Sequence, residues 1–121
     1  MPNEQESWRS GVAAPVTAGA LARAASVAGL ARRAGDLVVG LTAVRRTRGL
    51  ALVLVAKEVS ANTRRELAGL GRRGVEVRVL EDLDRLSVAV GCPGARILAV
   101  KRGPLAAEIA RRLAPGRAGS G

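Results

Sequence analysis

The stretch that most constrains this chain is the run LALVLVA at Leu50–Ala56, seven uncharged and almost uniformly aliphatic residues. The run is too short to cross a membrane, and its composition favours a strand covered on both faces. At Lys57 and Glu58 the pattern turns polar. Because open α/β sheets usually bind ligands where a buried strand ends in a polar loop, the sequence predicts a functional site at residues 56–65.

Side chains that can cap a helix follow this polar turn. Ser60, Asn62 and Thr63 can each accept a hydrogen bond from the free amides of a helix start. Thr63 is followed three residues later by Glu66, which is the spacing of a capping box. The sequence therefore predicts a helix that begins near Asn62 and is capped by Thr63.

Elsewhere the chain alternates helical and strand patterns. Gly35 follows the first helical stripe where a C′ glycine belongs. Glycines 69, 71 and 74 are expected to interrupt the third helix. Helices are predicted at residues 18–34, 41–48, 62–70 and 82–90, the last of these capped by Asp82, with a final helix that begins near Pro104; strands are predicted at 37–39, 50–56, 75–80 and 95–100.

This alternation predicts an α/β fold with a central sheet and helices on both of its faces. Residues 19–114 are expected to form one domain, which is long enough to build a core without disulfides or metal ions. Residues 1–18 and 115–121 mix Pro, Gly, Ser and charges without periodicity. They are predicted to be disordered tails.

The charge of the chain indicates an anionic partner. Its formal net charge is +10, and the segment from Leu21 to Val75 holds eleven basic residues against three acidic ones, whereas residues 76–84 hold four acids and one arginine. A basic face with an acidic patch elsewhere is typical of a nucleic-acid binder. The alternative is a drift in composition, since eighteen of the twenty basic residues are arginine.

The composition speaks against an enzyme. The chain has no histidine and one cysteine, so it cannot form any of the usual Cys and His patterns that bind zinc. It also has no tyrosine, so the residues that usually transfer protons are missing. Glu81, Asp82 and Asp84 are better explained as a solvated helix start than as a catalytic pair. Cys92 before Pro93 is better explained as a small turn or core residue than as a reactive thiol. The chain is predicted to be non-catalytic and to need no cofactor.

The amino-terminal residues bear on location. The opening MPNEQESW is acidic and polar and has no basic segment followed by an apolar core, so no signal peptide is predicted. A cytoplasmic location without membrane association is expected.

The only aromatic residue is Trp8, so the predicted domain has no platform on which bases of a single strand could stack.

Two basic pairs are candidates for phosphate contacts. Arg45 and Arg46 fall in the short second helix, where the alternative is a solvated helix face. Arg64 and Arg65 follow a predicted helix start, where cations oppose the helix dipole. An anion docked at that helix start would reverse this small cost, so the placement modestly favours phosphate binding.

The runs ARRAGDLVVG, LVLVAKEVSANTRREL and RLSVAVG resemble the bacterial members of the kink-turn-binding ribosomal protein superfamily, typified by archaeal L-seven-Ae and eukaryotic L-thirty-e. The resemblance covers residues 21–113 in order, and its most specific part is residues 56–67. It implies a three-layer α/β/α sandwich with a four-stranded mixed sheet that binds RNA kink-turns or related internal loops, including ribosomal RNA.

The resemblance also implies where the RNA would bind: at the start of the second helix, at the polar end of the central strand, and in the loop before the last strand. In this chain Thr42 and Ala43 replace the Asn-Glu pair with which the family reads sheared G·A pairs, so backbone contacts are expected instead of base readout. Asn62 and Arg64, at the predicted start of the third helix, are added to these three segments. The predicted RNA-contacting residues are therefore Gly40, Leu41, Thr42, Arg45, Arg46, Lys57, Glu58, Asn62, Arg64, Pro93 and Gly94.

Two functions therefore follow from the sequence. The first is non-catalytic binding of structured RNA through a basic surface, with a ribosome or an RNA-processing protein as a further partner. The second is a protein-interaction module on the same fold, which the replaced Asn-Glu pair and the acidic residues 76–84 favour.

Overall fold

In residues 16–113, the part of the chain that this computed structural model describes, five helices alternate with four strands. The helices are α1 (Ala18–Arg33), α2 (Leu41–Arg46), α3 (Ala61–Arg72), α4 (Leu83–Ala89) and α5 (Pro104–Arg112), and the strands are β1 (Leu37–Val39), β2 (Leu50–Ala56), β3 (Glu76–Leu80) and β4 (Ile97–Lys101). The predicted tails lie outside the described residues, except that Thr17 caps α1 through the Ala20 amide at 3.0 Å and Ala18 begins that helix.

The four strands form one mixed sheet in the order β1-β4-β2-β3. Strand β4 runs antiparallel to both of its neighbours, β1 and β2, whereas β2 and β3 are parallel. The carboxyl ends of β1, β2 and β3 therefore lie at the same edge of the sheet as the amino end of β4. Four chain segments consequently leave or enter the sheet at one edge.

Helices cover both faces of the sheet and give the predicted three-layer α/β/α sandwich. Helices α1, α4 and α5 pack on one face, against a core that includes Leu52, Leu54 and Leu98. Helices α2 and α3 cover the other face, where Val53, Val55 and residues of β4 form a second core. The prediction of a β2 strand covered on both faces is confirmed, because Leu52 and Leu54 are buried on one face and Val53 and Val55 on the other.

A β-bulge at the start of β2 decides which core Leu50 enters. Leu50 pairs with Lys101 and Leu52 with Val100, so Ala51 is an extra residue opposite β4. Ala51 and Leu52 consequently contact the same core, while Leu50 joins Val53 in the other core. Strict alternation would have moved Leu50 to the face of Leu52.

Several predicted boundaries were wrong. The cap of α3 is Ser60, whose Oγ accepts from the Thr63 amide at 3.1 Å, so the predicted capping box of Thr63 and Glu66 does not form. The first hydroxyl after the polar turn starts the helix one residue before Asn62, which places Thr63 inside it. The helix also continues through Gly69 and Gly71 to Arg72, because both glycines keep helical backbone angles.

The second and fourth helices also differ from their predictions. Helix α2 ends at Arg46 instead of residue 48, because Thr47 is extended and its Oγ1 donates to the Ala43 carbonyl at 2.7 Å. Asp82 occupies the N-cap position of α4, but its side chain makes no capping hydrogen bond. Strand β4 begins at Ile97, which leaves Arg96 in the preceding loop.

Of the three glycines predicted to interrupt the third helix, only Gly74 ends it. The Gly74 amide donates to Gly71 O at 3.1 Å and the Val75 amide donates to Leu70 O at 3.1 Å, which is a Schellman motif. Gly74 has φ +92, a left-handed conformation that side chains with a Cβ rarely adopt. The same pairing ends α1, where Gly35 donates to Arg32 O and Asp36 to Ala31 O, as predicted for the C′ glycine.

Replacing Gly69 by alanine is expected to raise the free energy of unfolding by about 0.5–1 kcal/mol, because glycine is costly inside a helix. The added methyl group would meet only the flexible end of Arg72 at 3.7 Å. Urea denaturation followed by circular dichroism measures the change. Gly74→Ala is the matched control and is expected to lower stability, since its φ is +92. Stabilisation by both substitutions would contradict this account.

Candidate nucleic-acid interface

Three of the predicted RNA-contacting segments meet at the sheet edge where β1, β2 and β3 end. The Gly40 amide, at the start of α2, donates to Ile97 O at 3.0 Å. The Ala56 amide, at the end of β2, donates to Arg96 O at 2.9 Å, and the Lys57 amide donates to Leu80 O at 3.3 Å. The start of α2, the turn after β2 and the loop before β4 are therefore tied to one another through backbone hydrogen bonds.

Gly40 allows the chain to turn sharply from β1 into α2. It occupies the N-cap position with φ +90, which favours glycine, and it has no side chain to cap the helix. Leu41, the first residue of α2, is half-buried and packs against the core beneath this helix, whereas Thr42 is exposed. Of these two neighbouring predicted contacts, only Thr42 presents its side chain to solvent at this edge.

Lys57 and Glu58 form exposed ion pairs with residues of two other segments. Lys57 Nζ lies 3.2 Å from Glu81 Oε1, just beyond the end of β3. Glu58 Oε1 lies 4.0 Å from Arg96 Nη1, just before β4. All four side chains are roughly half exposed, so each pair stabilises the fold by at most about 1 kcal/mol and can exchange for a stronger partner.

The start of α3 contributes hydrogen bonds to the same edge. Arg64 Nη2 donates to the Lys57 carbonyl at 3.1 Å, so the guanidinium fastens the turn that carries Lys57 and Glu58. Its Nε is buried and has no hydrogen-bond partner in the described part of the chain. Asn62 Oδ1 accepts from Arg65 Nη2 at 3.2 Å. Arg64 is thus partly engaged in holding the turn, and Asn62 in orienting Arg65.

The loop before β4 is anchored from below by Ser87, a fully buried residue of α4. Ser87 Oγ donates to Ala95 O at 2.7 Å, and Ser87 O accepts from the Cys92 amide at 2.8 Å. Between these anchors, Pro93 and Gly94 are exposed at the tip of the loop. The buried serine thus holds both ends of the tip, and Cys92 is a half-buried turn residue, as predicted.

Arg45 and Arg46 are separated from this edge by most of α2. Both lie in the last turn of that helix. Arg45 reaches across to α3, where its Nε and Nη2 donate to the two carboxylate oxygens of Glu66 at 2.5 and 2.8 Å. Arg46 is exposed and makes no ion pair with any residue between 16 and 113. The structure therefore brings neither Arg45 nor Arg46 to the edge with the other predicted residues, because both lie at the far end of α2; the charge of Arg45 is also paired with Glu66.

Two residues of the edge were missed by the sequence analysis. Arg96 directly precedes the apolar run of β4, and the prediction had placed it inside that strand. Its position at the polar boundary of an apolar run was the available signal, the same one that identified Lys57. Ser60 was considered only as one of three cap candidates, and the hydroxyl closest to the preceding strand proved to be the cap.

Within residues 16–113, no group of three or more His, Cys, Asp or Glu residues is placed to hold a metal ion. No helix of that same segment has the length and apolar composition needed to cross a membrane.

Comparison with known proteins finds a similar fold but identifies no function. No protein-family model matches the chain, and no curated protein matches it. A solved structure of a protein with unknown function from Bacillus halodurans is similar, with 25% sequence identity and a TM-score of 0.65, over 76% of this chain and 97% of that one. The resemblance to kink-turn-binding proteins stays a prediction.

Removing the Arg45 guanidinium is expected to raise the pKa of Glu66. In the folded chain the hydrogen bonds from Arg45 hold the pKa of Glu66 below its ordinary value, and the attraction between the charges acts in the same direction. Arg45→Gln should therefore move the Glu66 midpoint upwards in an NMR titration of its carboxylate. Arg46→Gln is the matched control and should leave that midpoint in place.

The sign of the linked pH effect follows from this lowered pKa. The pair contributes to stability at neutral pH, and the contribution is lost as the pH falls through the folded-state pKa of Glu66. Arg45→Gln should remove that part of the acid dependence. An identical Glu66 midpoint in the parent chain and in Arg45→Gln would show that the two side chains do not pair in solution.

Proposed function

We propose that this chain binds structured RNA, without catalysis, through the sheet edge formed by the start of α2, the turn at Lys57 and the loop at residues 92–96. The observation that carries the proposal is the meeting of these three segments, which lie far apart in the sequence, at one edge. Their backbones are joined by hydrogen bonds from the Gly40 amide to Ile97 O at 3.0 Å and from the Ala56 amide to Arg96 O at 2.9 Å. A site assembled in this way can present several phosphate contacts in a defined arrangement.

The charges at the edge support an anionic ligand. Helix α3 points its amino terminus towards this edge and carries no acid in its first turn, which instead holds Arg64. The partial positive charge of a helix start attracts phosphate, and a cation beside it is unfavourable until an anion is bound. The helix start and the neighbouring cations would therefore act together on a phosphate group.

Lys57 and Arg96 are available to an RNA ligand despite their acidic partners. Each is about half exposed, and its pairing with Glu81 or Glu58 spans 3.2 or 4.0 Å at the surface. Exposed pairs of this kind are weak and are screened by salt. A phosphate oxygen could replace the carboxylate at either cation, which would leave the acid to solvent.

The side chains at this edge favour recognition of RNA shape over base sequence. Thr42 and Ala43 are short, and the described domain contains no aromatic residue on which a base could stack. Contacts to the sugar-phosphate backbone position an RNA without reading its sequence. Kink-turn-like internal loops and ribosomal RNA are the proposed ligands, and a cytoplasmic location, with a ribosome or an RNA-processing protein as a further partner, belongs to the same proposal.

The proposal is tested by comparing a kink-turn RNA with a fully paired duplex of equal length, in a salt titration. The parent chain is expected to prefer the kink-turn. Lys57→Glu and Arg96→Glu should each weaken binding by roughly tenfold at low salt, because a charged hydrogen bond is lost. Each should also reduce the slope of log K against log salt concentration by about one per lost phosphate contact.

Arg33→Glu is the matched control for these charge reversals. It changes the net charge equally. Arg33 is the last residue of α1, just before β1 begins beside the end of β4, and this end of the sheet is opposite the proposed RNA edge. Binding by Arg33→Glu should remain close to that of the parent chain. Equal losses in all three variants would mean that net charge alone drives binding, and no binding of either RNA by the parent chain at low salt would refute the proposal.

A further inference from the structure

A groove separates α2 from α3 on the face of the sheet away from α1. It has a volume of about 510 Å³ and extends from Leu41 towards Gly49 and Arg102, which lie at the end of the sheet opposite the proposed RNA edge. The Arg102 amide donates to Gly49 O at 2.7 Å, which closes the backbone beneath that end. The groove is therefore a surface distinct from the proposed RNA edge, although Leu41 borders both.

The floor of the groove is apolar. Val44, Leu50 and Leu67 are buried and contribute to the core beneath the groove, whereas Leu41, Leu70 and Val75 are only partly buried. Leu70 and Val75 come together because the Schellman motif folds the chain back at the end of α3. Three aliphatic side chains therefore keep part of their surface exposed inside the groove.

Arginine side chains form the rim. Arg48 precedes β2, Arg73 caps the carboxyl end of α3 and Arg102 follows β4, and all three are exposed. None of the three side chains makes an ion pair or a hydrogen bond with another residue in the described range. Among the described residues that line the groove, Glu66 is the only acid, and it is paired with Arg45. The groove thus combines an apolar floor with three uncompensated positive charges.

We propose that this groove binds an acidic, amphipathic segment of a protein partner. Leucine-like side chains of the segment would cover the exposed parts of Leu41, Leu70 and Val75, and its carboxylates would pair with the three rim arginines. Charge complementarity selects the acidic partner, and the apolar floor selects a protein over RNA, since a phosphate backbone gains nothing from covering leucine. This surface is independent of the proposed RNA edge.

Arginine suits such a rim because its planar guanidinium can pair with a carboxylate through two hydrogen bonds. The contact between Arg45 and Glu66 in the same groove shows that geometry, with N to O distances of 2.5 and 2.8 Å. An incoming carboxylate at Arg48, Arg73 or Arg102 would repeat the same kind of contact. The rim is therefore suited to aspartate and glutamate side chains on a segment that lies along the groove.

The test uses fluorescein-labelled synthetic peptides in which leucine and glutamate are arranged either at helical spacing or in strict alternation. Binding to the full chain is measured by fluorescence anisotropy and mapped by NMR chemical shifts. At least one arrangement is expected to bind and to shift the resonances of Leu70 and Val75. Versions in which serine replaces leucine, or lysine replaces glutamate, should bind at least about tenfold more weakly.

Protein variants then separate the groove from general charge. The pair Arg73→Glu with Arg102→Glu should weaken peptide binding by at least about tenfold, whereas the control pair Arg23→Glu with Arg33→Glu on α1 should leave it within about twofold. Thermal melts verify that both pairs remain folded. Lys57→Glu, at the RNA edge, should not change peptide affinity, so failure here is distinguishable from failure of the RNA proposal.

Three results would overturn the inference. One is the absence of binding by both leucine-containing arrangements. Another is binding that does not require leucine, since that would reduce the groove to a general anion surface. The third is a loss of RNA affinity, without a loss of peptide affinity, in the pair Arg73→Glu with Arg102→Glu, which would make the groove part of the RNA footprint.

Discussion

Strand β2 is the constraint on which the rest of the structure depends. It lies between β4 and β3 and pairs with both, antiparallel on one side and parallel on the other. Because helices cover both faces, its residues must serve two cores, and the bulge at Ala51 sets which side chain enters which core. A polar side chain within Val53–Val55 would be buried away from water on either face, which is costly, so only apolar residues fit these positions.

The position of β2 also assembles the candidate site. A parallel neighbour and an antiparallel neighbour bring the ends of β2 and β3 and the start of β4 to one edge. There the Lys57 amide donates to Leu80 O and the Ala56 amide donates to Arg96 O. The cations there are held by weak surface pairs and by the hydrogen bond from Arg64 to the turn. The backbone of this edge is held by hydrogen bonds, whereas its cations are held only by weak surface ion pairs. A phosphate group that replaced a carboxylate there would therefore cost little.

The arginines of this chain are not equivalent, although the composition treats them alike. Arg45 is bound by Glu66, Arg64 holds the turn after β2, and Arg78 donates to Ala110 O at 2.9 Å. Arg48, Arg73 and Arg102, by contrast, make no side-chain ion pair or hydrogen bond within the described residues, and they border the groove between α2 and α3. The arginines therefore fall into two groups, those that make contacts within the fold and those that remain available to a ligand.

The sequence by itself determined the alternation of elements and hence the α/β class, because local periodicity and the glycine stops at residues 35 and 74 are properties of neighbouring residues. It also indicated the polar turn at Lys57, since a buried strand must end where charge begins. The choice of Ser60 over Thr63 as the cap of α3 is a local contact that the sequence left open, whereas only the tertiary structure decided that Glu66 pairs with Arg45 and that Arg96 pairs with Glu58 at the edge. The two ion pairs join residues that lie 21 and 38 positions apart in the chain, and no local pattern identifies such partners.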